Sequence, residues 1–101
     1  MAIAIPKSTL KVLSDLTGEV VFNRALNVAL KDSIEHRLEK IGKNLETYQT
    51  KYGMKFDDFK ILWNQGNVKN QSSYEVEKDF LEWEGLIMRK AKLKEISKWL
   101  I

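Results

Sequence analysis

A chain of 101 residues of which 44% are hydrophobic can close one small core and not two. Its 17 basic and 14 acidic residues leave a net charge of only +3, too even a balance for charge alone to mark a nucleic-acid binder. The lack of cysteine excludes a disulfide framework, a thiolate metal site and a cysteine nucleophile, and it fits a reducing compartment such as the cytoplasm.

The opening Met1 to Lys7 lacks the basic leader and 7–15-residue apolar run of a secretory signal, and no later run approaches the ~20 apolar residues that span a bilayer. Ala2 to Ile5 reads as a short strand, after which Pro6 suits the first turn of a helix running to about Leu16. Gly18 is placed to end that helix in a left-handed conformation.

A long helix is expected from Glu19 to Tyr52, with Phe22, Leu26, Ala29, Leu30 and Ile34 on a broad apolar face. Its second half is sharper: Ile34, Leu38, Ile41, Leu45, Tyr48 and Tyr52 alternate steps of four and three, the spacing that keeps a seam against another helix within or between chains. Gly42 interrupts the run at a cost of ~1 kcal/mol relative to alanine, which suggests a close helix contact there. Gly53 then ends the helix.

Phe56, Phe59 and Trp63 predict a short amphipathic helix over Lys55 to Gln65, and the Asn, Gln and Ser-rich stretch from Gly66 to Ser72 predicts a loop or hinge. Ser72 with Glu75 three residues on matches a capping box for a final helix from Ser73 to Ile101. Val76, Phe80, Trp83 and Ile87 form its apolar stripe, continued by Leu86, Leu93, Ile96 and Leu100. The expected architecture is all-α: one domain with two antiparallel long helices, a short bridging helix and a possible N-terminal strand. Homo-oligomerisation is expected from the heptad seam.

The chain offers little chemistry. His36, the single histidine, shares a helix face with Asp32, but one histidine with a scattered carboxylate falls short of a three-ligand metal site. Glu75, Asp79 and Glu82 lie at i, i+4 and i+7 and present three carboxylates along one helix face; a cation site would need further oxygens from elsewhere, so a solvated or partner-facing acidic surface is the simpler reading. The glycines form no phosphate-cradling loop, and no nucleophile has a base at catalytic spacing. Neither an enzyme nor a cofactor is expected.

Most of the aromatic residues are expected in the core, whereas Tyr74 and Trp99, near the ends of the last helix, suit partner contact. Arg89, Lys90, Lys92 and Lys94, with Lys98, offer a basic helix end for phosphates, but Glu95 interrupts it and the residues spread around the helix. The apolar start followed by a short and a long helix resembles ribbon-helix-helix ordering. Alternating Ala and Ile, however, supply no polar side chain to read base edges.

Three further segments carry a family resemblance: Lys51-Tyr52-Gly53-Met54, Phe56-Asp57-Asp58-Phe59, and the run from Ser73-Tyr74-Glu75-Val76 to Trp83-Glu84. They make the second half of the chain similar to small prokaryotic, often archaeal, helical proteins of the TumA antitoxin type. The resemblance implies a partner protein with toxic nuclease activity, inhibited by direct binding. Tyr74, Glu75, Asp79, Glu82 and Trp83 are then the candidate partner-binding residues. A departure from that pattern is Lys55, which stands where a small capping residue is expected and leaves the short helix without a side-chain cap. The competing readings are a DNA- or RNA-binding regulator using Arg89, Lys90, Lys92 and Lys94, and a structural homo-oligomeric scaffold.

Overall fold

The computed structural model describes residues 4–100. The protein is all-α, with four helices in the order α1 (Lys7–Thr17), α2 (Phe22–Tyr52), α3 (Phe56–Asn64) and α4 (Tyr74–Ser97). Ala4 and Ile5 belong to no regular element, and the rest of the expected strand, Ala2 and Ile3, lies outside the described residues, as does Ile101. No helix among the described residues is long and apolar enough to cross a membrane.

Glycine punctuates the helices where the sequence places it. Gly18 and Gly53 both adopt the left-handed conformation, with φ of 74° and 67°, and each donates its N–H to the last turn of the helix before it. The long helix starts three residues later than expected, with Glu19, Val20 and Val21 outside it. The Thr17 hydroxyl donates to the Leu13 carbonyl and accepts from the Glu19 N–H, which shapes the exit from α1. The N-cap of α4 is likewise Ser73, not Ser72: its hydroxyl accepts from the Val76 N–H at 3.3 Å. With Val76 in the third position no reciprocal glutamate exists, so the motif is a simple cap and not a capping box.

The heptad seam closes within the chain. Ile34, Ile41 and Leu45 of α2 are buried with Val76, Phe80, Trp83 and Leu93 of α4 and with Phe56 and Phe59 of α3. Contacts from Tyr48 to Glu82 and from Tyr52 to Asp79 show that α2 and α4 run antiparallel. Gly42 makes no close helix contact; a Cβ there would meet open space. The loop before α4 is tied down by Gln71, whose amide donates to the Trp63 carbonyl and accepts from the Val68 N–H.

Aromatic packing concentrates around Trp83, which has no exposed surface. Tyr48 and Tyr52 stack on it at 5.6 and 5.7 Å, Phe56 meets it edge-on at 5.4 Å, and Phe59 lies 5.0 Å away. Trp63 stacks on Phe80 at 4.3 Å. Burying rings of ~150–250 Å² each makes this end of the molecule its main source of hydrophobic stabilisation. The other end is thin. In α1 no residue is buried, and in α2 before Ile34 only Ala25 is.

Candidate functional site

Two faces of α4 divide the expected site residues between them. Toward α2, the three carboxylates of the acidic row are each taken by a donor from that helix. Lys51 Nζ contacts Glu75 at 2.8 Å and Asp79 at 2.6 Å, the Tyr52 hydroxyl donates to the same Asp79 oxygen at 2.5 Å, and the Tyr48 hydroxyl donates to Glu82 at 2.6 Å. Asp79 is itself buried. Charged hydrogen bonds of this length are the stronger kind, and here they hold two helices together.

The electrostatics follow from that geometry. Burial pushes the Asp79 carboxyl up, but hydrogen bonds from Lys51 and Tyr52 outweigh it and hold the group below the usual carboxylate range. Burial, reinforced by hydrogen bonds to Glu82 and Asp79 respectively, pushes the Tyr48 and Tyr52 phenols up to about 12. Hydrogen bonds to Asp79 and Glu75 raise Lys51 as well. Each group is held in its ordinary charge state at neutral pH, the pattern of a structural polar seam and not of a poised acid or base.

The expected partner-binding set is therefore split. Trp83 lies in the core, where the period of the helix turns it inward with Val76 and Phe80; it is corrected from docking residue to packing centre. Asp79 is corrected likewise, since a partner reaching it would first have to displace Lys51 and Tyr52. Glu75 and Glu82 remain at the surface but face the α2 seam. Tyr74 alone among the five stands free on the outer side, 80% exposed.

Leu81 and Met88, each 66% exposed, continue that outer side. Tyr74, Leu81 and Met88 are seven residues apart, close to two helical turns, so they form one apolar row on the side of α4 away from the core. Glu77 and Glu84, also seven apart, run beside it as an acidic edge, and Glu84 lies 3.7 Å from Lys60 of α3. Between Tyr74 and Leu81 opens a surface groove of about 350 Å³, lined also by Glu77, Lys78 and Glu82. Leu81 and Met88 were missed because the stronger stripe, Val76, Phe80 and Trp83, accounts for the helix; a second apolar repeat on the opposite face is the signal that finds them.

The basic end divides between two sides of α4. Successive helix residues turn by about 100°, so Lys90 and Lys94, four apart, share one side, and Arg89 and Lys92, three apart, share the other. Lys92 also sits 3.8 Å from Glu95. Trp99 lies past the end of α4 and is 82% exposed. His36 is exposed on α2 beside Glu39, Lys40 and Lys43, where two ammonium groups oppose cation binding.

No protein-family model matches the chain, and no match is found among curated proteins or solved structures.

Proposed function

We propose that this chain is an antitoxin-like regulator, without catalysis of its own, that neutralises a partner nuclease by direct contact through the outer face of α4. The observation that carries the reading is the exposed row Tyr74, Leu81 and Met88 with Glu77 and Glu84 along its edge. Exposed aromatic and long apolar side chains at helical spacing are the anchors by which one helix docks in a partner's groove. The acidic edge selects a basic partner, and a nuclease surface that holds phosphates is basic. A chain without cysteine suits the reducing cytoplasm in which such pairs would work.

The test is co-expression with the product of the neighbouring reading frame. The reading expects a recoverable complex and suppression of that product's toxicity, both lost in the Leu81→Lys variant. Neither complex nor suppression with the wild-type chain contradicts it.

A further inference from the structure

We propose that the exposed apolar face formed by α1 and the first third of α2 is a two-fold interface with a second copy of this chain. The size of the molecule argues for it first. A compact monomer of this mass exposes about 5,900 Å² and a compact chain of this length has a radius of gyration near 13 Å. This chain exposes 7,997 Å², with a radius of 19.5 Å and a longest dimension of 57 Å. The excess, about 2,000 Å² per copy, exceeds the ~800 Å² that each partner contributes to a standard interface.

Exposed large apolar side chains concentrate at one end of the molecule. Leu16, Val20, Phe22, Leu26 and Leu30 are between 36% and 91% exposed, and with Val12 and Val21 they put seven exposed apolar side chains at the thin end of the molecule. Nothing in α1 itself compensates for this exposure. It has 11 residues, shorter than the ~12–15 at which an isolated helix becomes even marginal. Its N-cap, Pro6, supplies no side-chain cap, its first turn has no acid, and Lys7 sits at the end where the helix dipole is positive. A helix with no buried residue and adverse end charge needs a cover.

The chemistry of the face selects the occupant. Phe22, Leu26 and Leu30 share one side of α2 with Asn23, Asn27 and Ser33, whereas Arg24, Lys31 and Asp32 turn away from it; Arg37, which donates to the Ser33 hydroxyl at 3.3 Å, is the cation at its edge. One cation at the edge gives a nucleic acid or a strongly charged protein little to pair with. A second copy brings a face of equal size and equal apolar character, and a two-fold axis lets each protomer cover the other. The proposal is independent of the nuclease reading, which uses α4.

Sedimentation of the full chain tests it, with helicity monitored by circular dichroism. The wild type is expected at twice the 11.8 kDa chain mass, and Leu26→Lys at the chain mass with helicity at the α2–α4 end retained. Because the chain has no cysteine, single substitutions give clean cross-links. Leu26→Cys is expected to form a disulfide-linked dimer on oxidation; Glu35→Cys, two and a half turns away on the opposite side of α2, is not. The proposal is overturned by a wild type that stays at chain mass at every concentration reached, or by a dimer that Leu26→Lys leaves intact. It is also overturned by a monomer that floats with phosphatidylcholine–phosphatidylglycerol vesicles, which assigns the face to lipid.

Discussion

Asp79 is a centre of the polar α2–α4 contact, because one of its oxygens accepts from both Lys51 and Tyr52. Asp79→Ala leaves the Tyr52 hydroxyl without its acceptor and is expected to cost about 1–3 kcal/mol in denaturant unfolding. The pH dependence has two limbs. A carboxyl held below its usual range stabilises the fold above that range, and its contribution disappears as pH falls through the depressed value. Phenols raised from 10.0 to about 12 favour the fold below their ordinary value and lose that contribution as pH rises through the raised one. Melting temperature is therefore expected to be level near neutrality and to fall toward both extremes. Asp79→Asn should shrink the acid limb, and Tyr52→Phe the alkaline one.

At the scale of elements, caps and glycines locate stability that remains to be gained. Lys55 occupies the N-cap of α3 in an extended conformation with φ −81° and ψ 162°, and its side chain has no oxygen to accept a capping hydrogen bond. Lys55→Ser should raise stability by about 1 kcal/mol, and Ser73→Ala at the cap of α4 should lower it by a similar amount. Gly42→Ala, in the interior of α2 with open space around the added methyl, should stabilise by roughly 0.5–1 kcal/mol. Thermal melts of the three variants check all three signs.

The helices were legible in the sequence because their signals are local. The four-three alternation from Ile34 to Tyr52 marks the seam, and Gly18 and Gly53 mark two ends. What covers the seam is not local. Nothing in the spacing of Ile34, Ile41 and Leu45 tells the chain's own α4 from a second molecule. The acidic row misled for the same reason: Glu75, Asp79 and Glu82 read as a free surface until Tyr48, Lys51 and Tyr52, more than twenty residues earlier, are placed opposite them. The cap is Ser73 and not Ser72 although only Ser72 has a glutamate three residues on, because the turn entering α4, and not the local spacing, chooses between two adjacent serines.

The whole molecule is a dense aromatic end joined to a sparse helical hairpin, and the two ends suit different tasks. Rings packed on Trp83 hold α4 rigid, so that Tyr74, Leu81 and Met88 are presented in fixed register. In the proposed dimer, the hairpin of α1 and the start of α2 would bury its apolar side chains against another copy. In such an assembly two α4 faces would be carried by one dimer, and a dimeric or immobilised partner would be held more tightly than by one copy alone. The account stands or falls on which face of α4 meets the partner. The most direct measurement is calorimetric titration of the neighbouring-frame protein with the wild type, Leu81→Lys and Asp79→Asn, each confirmed folded. Docking through the outer face predicts at least a tenfold loss of affinity, about 1.4 kcal/mol, for Leu81→Lys and little change for Asp79→Asn. The reverse order, with Asp79→Asn abolishing binding and Leu81→Lys leaving it intact, contradicts the account.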